Sequence, residues 1–368
     1  MSIKTTIAPF TKEQVAIIKG VAILLILFHN FFHWVPPIDS TENEFYFKTE
    51  HIYIFLQAFV DSPWEFINIL FSYLGHFGVQ IFIFISGYGL AKSFQGKEKA
   101  WGRFMVDRLK KIYPLLIIGL VVYILSKITM TYQIPTKEEY LSMVYKLLFI
   151  HVFIPGETMS LCGPWWFFGF IIQLYIFFPL LYKLIKKHGF KAFVIISTIS
   201  YFIVYYVYFN IKFEGGVSIM GQCLAHFPEF CLGIYLAEKK HLDTNPWALL
   251  LALTVFVSGN FHEAFFPLTF LSMTYIFIYV FIKVTSWNPK PNTMRRIMIY
   301  IGNISMFIFV VHGMFRWQFV CLSKNFHSPI ITVLFALLFF LEVFLISLSA
   351  KVVCDWVQRL LYKTKPER

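Results

Sequence analysis

"AIIKGVAILLILFHNFFHW", residues 16–34, is a lipid-compatible run that carries two imidazoles near its far end. An apolar stretch of about 20 residues is long enough to cross the hydrocarbon core as a helix. His29 and His33 are four residues apart, so they share one helical face. At ~1.5 Å per residue, His29 lies about 22 Å from the start of a span placed near 14–34. An ionisable side chain at that depth faces a partner or a cavity rather than lipid. An inter-helix hydrogen bond and a functional role both fit His29. His33, one turn further out, reads as a headgroup-level residue beside Trp34 in an aromatic belt.

The rest of the chain extends this reading. Its 368 residues are 58% hydrophobic and 20% aromatic, with only 14% charged, too few polar groups to cover a soluble domain. The fold class expected is all-α, a polytopic membrane helix bundle of about ten transmembrane helices. Spans are expected near 14–34, 76–94, 112–131, 164–184, 191–211, 220–237, 246–261, 265–284, 298–317 and 330–351. The apolar segments 52–74 and 141–154 read as re-entrant or interfacial helices. The first apolar run has no small-residue cleavage site behind it and reads as a true span, not a removable leader. The five cysteines show no metal-binding spacing, so no metal is expected.

The formal net charge of +12 suggests nucleic acid until its distribution is examined. With the N-terminus inside and ten spans, most Lys and Arg collect on the cytoplasmic side. These include Lys97, Lys99, Arg103, Arg108, Lys110, Lys111, Lys186, Lys187, Lys191, Lys239 and Lys240, then "KPNTMRR" (290–296) and the tail "RLLYKTKPER" (359–368). This is the positive-inside asymmetry. It accounts for the charge without nucleic acid and puts both termini in the cytoplasm.

Four further motifs carry polar or small residues into apolar segments. "GHFGVQIFIFISGYGL" (75–90) places glycines and Ser86 in a span, which suits close helix packing. "DRLKKIYP" (107–114) sets Arg108, Lys110 and Lys111 at the cytoplasmic mouth of the third span, either as an anchor or as a phosphate site with the Arg fork. "GPWWFFGFIIQLYIFFPLL" (163–181) opens with Trp165 and Trp166 at an interface. "GNISMFIFVVHGMF" (302–315) buries a third imidazole, His312.

In this order, these elements resemble the acyltransferase 3 family of multi-pass membrane acyltransferases. That family has a first-span histidine, a second span of the form G–GV–iFffiSGy, and a third span opening R–x–x–R–i–Y–P. A W–a and Y–x–x–x–P fourth span and a late iS–fi–H span follow. Here they read as His29, "GVQIFIFISGY", "RLKKIYP", "WW" with "YIFFP" from Tyr175 to Pro179, and "ISMFIFVVHGMF". Lys111 stands where the family usually has its second arginine, which keeps the charge and loses the fork.

The resemblance implies an acyl-CoA donor, usually acetyl-CoA, and an acceptor hydroxyl on an extracytoplasmic polysaccharide or lipid-linked sugar. His29 would be catalytic, either as general base or as acyl carrier. Arg108, Lys111 and Lys110, with Ser86 and Tyr88, would hold the donor. Trp165, Trp166, Tyr175, Ser305, His312 and Glu229 would face the acceptor, and Ser86, Tyr88, Trp166 and Ser305 are candidate donors to the thioester oxygen. The aromatic-rich outer loop "TENEFYFKTEHIYIF" (41–55) would stack on sugar. Residues 1–368 are expected to form one membrane domain, without the extracytoplasmic esterase-like domain some relatives carry. The expected location is a bacterial inner membrane, among membrane lipids and glycan-assembly partners. Two other classes fit the composition. One is a proton-coupled transporter or flippase using His29, Glu229 and His312 as a relay; the other is a non-catalytic scaffold.

Overall fold

The computed structural model describes residues 6–211, 217–287, 292–326 and 328–362. Thirteen α-helices are described: α1 Lys12–Phe32, α2 Thr49–Asp61, α3 Phe66–Leu74, α4 Gly78–Phe94, α5 Trp101–Thr131, α6 Lys137–Leu147, α7 Trp166–His188, α8 Phe190–Asn210, α9 Phe227–Glu238, α10 Pro246–Phe261, α11 Leu268–Trp287, α12 Thr293–Phe326 and α13 Pro329–Tyr362. Eight helical runs are long and apolar enough to cross a bilayer. They begin at Lys12, Pro63, Trp101, Gly163, Phe190, Leu268, Thr293 and Pro329. The protein is a polytopic helix bundle.

Three expected segments differ in detail. The second span starts well before residue 76, because α3 runs through a 3₁₀ turn at Gly75–Phe77 into α4, making one run from Pro63 to Phe94. The segment 52–74 is therefore split: α2 stands apart, with Tyr53, Leu56 and Val60 exposed, while α3 belongs to the span. The stretch 220–237 is not one long helix. It is the 3₁₀ turns Ile219–Gly221 and Cys223–His226 followed by the 12-residue α9, while α10 is an apolar helix of 16 residues. Pro228 sits in the first turn of α9, where its missing N–H costs nothing.

Glycines decide how closely the central helices pack. α1 lies against α12, α3 and α4, and α4 lies against α9. A Cβ on Gly302 would fall 1.8 Å from the Ala16 carbonyl oxygen, and one on Gly20 would fall 2.5 Å from that of Met298. The same holds for Gly233, 2.1 Å from Phe84 O, and Gly87, 2.3 Å from Phe230 O. These helices touch backbone to backbone, as small residues permit inside lipid.

The basic loops gather at one end of the bundle. Glu98 of the α4–α5 loop meets Lys186 at 2.6 Å, Gln95 meets Glu238 at 2.9 Å, and Arg295 meets Glu13 at 2.8 Å. Thr6–Ile7 pairs antiparallel with Leu242–Asp243, which brings the N-terminal strand to the same end. Thr11 and Gln14 form a capping box that starts α1 there. Lys290 and residues 363–368 of the expected basic clusters lie outside the described residues.

Gly302→Ala is expected to destabilise the bundle by about 1–3 kcal/mol or more, since backbone cannot yield to a new methyl group. Gly89→Ala, with nothing within 4 Å of its added Cβ, should be neutral. Melting temperatures of the two purified variants compare them directly.

Candidate active site

At the end opposite the basic loops, α1, the α3–α4 junction, α12 and the loop after α1 enclose a cavity of about 250 Å³. His29 and His33 line it from α1, His76 and Val79 from the α3–α4 run, and Glu42, Glu44 and Phe45 from the loop. Trp166 and Phe167 come from α7, and Phe309 and Arg316 from α12.

The junction that bends the second span also fixes the first histidine. Gly75 allows it to press on α1, where an added Cβ would lie 2.7 Å from His29 Cβ. Nδ1 of His29 donates to the Ser72 carbonyl oxygen at 3.0 Å, with Phe71 O at 3.3 Å. The Ser72 hydroxyl in turn donates to Ile38 O at 3.1 Å. A carbonyl can only accept, so the neutral ring carries its proton on Nδ1 and presents Nε2 as the lone-pair nitrogen.

His33 lies beside Trp34, with ring centroids 4.7 Å apart. It lines the cavity with its ring centroid 5.1 Å from that of His29, and its Nδ1 lies 2.6 Å from Glu42 Oε2. Glu42 is itself placed by its loop: His51 Nδ1 donates to the Glu42 carbonyl, and Thr41 Oγ1 to Ile38 O. Burial pushes the Glu42 carboxyl up, but the His33 hydrogen bond and the neighbouring imidazoles more than reverse this and hold it below the ordinary carboxylate value. Glu44 has no such partner. Burial, aided by the charge of Glu42, pushes its carboxyl up to about 8, so the loop presents one ionised and one protonated acid.

Among the described residues, one group could hold a metal ion: His29, His33 and Glu42 offer ligand atoms within 4.8 Å of one another. Both Nδ1 atoms are already engaged, which leaves the two Nε2 atoms and the carboxylate.

The other expected residues divide between the cavity and the rest of the bundle. Trp166 lines the cavity and packs edge-on against Phe45 at 5.2 Å. Trp165 is fully buried behind it and donates from Nε1 to Val310 O at 2.8 Å. Ser305 Oγ donates to Gly302 O within α12. His312 donates from Nδ1 to Phe309 O, leaving a buried Nε2 without a partner. Glu229 is buried away from the cavity, 3.6 Å from His226 Nδ1, and is not joined to His29. Tyr88 donates to Phe10 O at 3.4 Å and packs on the Phe10 ring.

Toward the basic end, a second cluster forms. Arg108 lies over the Phe104 ring and acts electrostatically on Lys111 and Tyr175. Tyr175 pairs with Ser86 and so lies in this cluster, outside the cavity. Lys19 of α1 lies within electrostatic reach of Lys111, about 15 Å below His29 at ~1.5 Å per residue. Lys110 is exposed. Between the ends, a narrow apolar void shares Ile26, Val79, Phe167 and Phe309 with the cavity and adds Phe82 and Met306, one helical turn nearer the basic end.

The sequence matches the acyltransferase 3 family, an acyltransferase domain, over residues 13–352. The chain belongs to that family. It is also similar to the acyltransferase MdmB of Streptomyces mycarofaciens, at 31% identity over 121 residues. That match covers 31% of this chain and 30% of MdmB. No solved structure matches the chain.

Within this family member, four cavity residues escaped the sequence reading: Glu42, Glu44, His76 and Arg316. The acids reach the site through the loop after α1, which leaves no periodic signal, and His76 lies in the 3₁₀ turn within the Pro63–Phe94 run. Arg316 did leave one, as a cation one turn beyond His312 in an apolar helix.

Acyl-transfer activity should fall as pH rises through about 8, where Glu44 ionises beside Glu42. The folded state binds this proton more tightly than the unfolded chain, so stability should also decline between the ordinary carboxylate range and about 8. Glu44→Gln should flatten both profiles, as read by initial rates and melting temperatures across pH.

Proposed function

We propose that this membrane acyltransferase moves an acyl group, acetyl in the simplest case, from cytoplasmic acyl-CoA to a hydroxyl of an extracytoplasmic polysaccharide or lipid-linked sugar. The observation that carries the reading is the contact of His29 Nδ1 with the Ser72 carbonyl at 3.0 Å: the carbonyl can only accept, so the lone pair of the neutral ring lies on Nε2 of a cavity residue. The basic end is taken as cytoplasmic, with both termini there, on the positive-inside rule.

In this reading Arg108, Lys111 and Lys19 bind the CoA phosphates. The pantetheine arm passes between Phe82, Met306 and Phe309, where a void of about 10 Å³ has to widen to admit it. His29 Nε2 takes the proton of the acceptor hydroxyl as its oxygen attacks the thioester carbonyl. The carbon–sulfur bond breaks, and the imidazolium returns the proton to the leaving thiolate. Glu42, which acts electrostatically on both His29 and His33, stabilises the imidazolium. The Ser72 carbonyl holds the ring in place, as a backbone acceptor often does for a catalytic imidazole. Trp166 and Phe45 supply the aromatic wall on which a sugar ring stacks. No step uses a metal, and no nucleic acid is involved. The location that follows is a bacterial inner membrane. The alternative transporter relay loses support from the separation of Glu229, paired with His226, from His29.

Radiolabelled acetyl-CoA supplied to membranes containing the protein tests the reading. His29→Ala should lower transfer to a glycan fraction by about 10²–10⁴-fold, the range of a lost general base. Arg108→Ala should act through the KM for acyl-CoA and leave kcat nearly unchanged. EDTA should have no effect. A loss of activity that zinc restores would instead make His29, His33 and Glu42 a metal centre.

A further inference from the structure

Arg316 enters the same cavity from α12 and has no acidic partner among the described residues. Its Nη1 donates to Asn30 Oδ1 at 2.9 Å, and Asn30 is fixed by its own amide, which donates to Ile26 O at 2.9 Å. The guanidinium carbon lies 5.2 Å from the Trp34 ring centroid and 5.6 Å from that of Trp317. Nε is buried and makes no hydrogen bond. Aromatic faces and one amide offset only part of the cost of withdrawing a guanidinium from water. The cavity's own acids do not complete the balance: Glu42 is engaged by His33, and Glu44 is protonated below about 8. Among the described residues no acid pairs with the guanidinium.

We propose that Arg316, oriented by Asn30, binds a carboxylate of the acceptor, so that the protein acylates an acidic glycan such as one bearing a uronic acid. This rests on the acyl-transfer reading above and names the acceptor class within it. A carboxylate suits the site better than a phosphate. Among the described residues Arg316 is the sole Lys or Arg lining the cavity, which matches a monoanion and the fork geometry of one guanidinium. A doubly charged phosphate would meet Glu42 with no second cation to offset it. Arg316 is held by Asn30 and Trp34 and His29 by the Ser72 carbonyl, so the two can hold different parts of one sugar.

The test is equilibrium binding of methyl glucuronide, methyl glucoside and glucose 6-phosphate to the purified protein, read by tryptophan fluorescence, since Trp34 and Trp317 flank the guanidinium. The wild type is expected to bind the glucuronide at least ten-fold more tightly than the glucoside, and more tightly than the phosphate. Arg316→Gln should erase that advantage and leave glucoside binding within about two-fold, while Arg316→Lys should keep part of it. His29→Ala should retain the full preference, which separates anion recognition from acyl transfer: a failed transfer assay with preserved glucuronide selectivity would count against the reaction and not against this site. Equal affinity of the wild type for glucuronide and glucoside, absence of binding included, would overturn the proposal. So would tighter binding of the phosphate, or an Arg316→Gln variant that keeps the preference. An equal loss of transfer to both sugars in Arg316→Gln, with binding unchanged, would place the guanidinium at the reacting centre and also overturn it.

Discussion

The structure depends on the backbone contact between α1 and α12. Gly302 meets the carbonyl of Ala16, and Gly20 that of Met298, so the two helices touch backbone to backbone at these glycines. Lipid offers helices no hydrophobic drive to associate, so such an approach must be built from dispersion and fit. The contact sets the depth of everything further along both helices. His29, nine residues beyond Gly20, and Arg316, fourteen beyond Gly302, come to line one cavity. Gly75 and Gly78 bring the second span onto the same face of α1, which supplies the Ser72 carbonyl to His29.

A second constraint is the burial of polar groups in the cavity wall. Every polar atom in the cavity wall needs a protein partner or a ligand. The His29–Ser72–Ile38 chain of hydrogen bonds and the His33–Glu42 pair answer this need with protein. Among the described residues, Glu44 and the second nitrogen of His29 have no hydrogen-bond partner, and the guanidinium of Arg316 has only Asn30. His29 has its role in the proposed transfer and Arg316 in acceptor binding, and both line the same cavity with Glu44.

The fold was largely legible because lipid writes a one-dimensional code. Apolar length and the placement of Lys and Arg were enough to expect a helix bundle and to group the loops that the structure gathers at one end. The code failed where a crossing is not a single helix. The turns and the 12 residues of α9 are as apolar as a span, yet their backbone is interrupted. Of the site, His29 and Trp166 were legible as a deep imidazole and an interfacial aromatic. Ser305, Trp165 and Tyr88 looked equally chemical in the sequence, but their polar atoms bond to backbone carbonyls. Glu42 and Glu44 were hidden for a different reason. They sit in a polar loop, where acids are ordinary, and only its fold back over α1 buries them beside the histidines.

The central claim is that one chain joins a donor held at its basic end to an acceptor held in the His29 cavity. The most direct measurement is acyl transfer in sealed proteoliposomes of known orientation, with radiolabelled acetyl-CoA confined to the side of the basic loops and the acceptor glycan to the other. The account predicts label in the glycan on the far side while the vesicles remain impermeable to CoA. Transfer only when donor and acceptor share a compartment would contradict it.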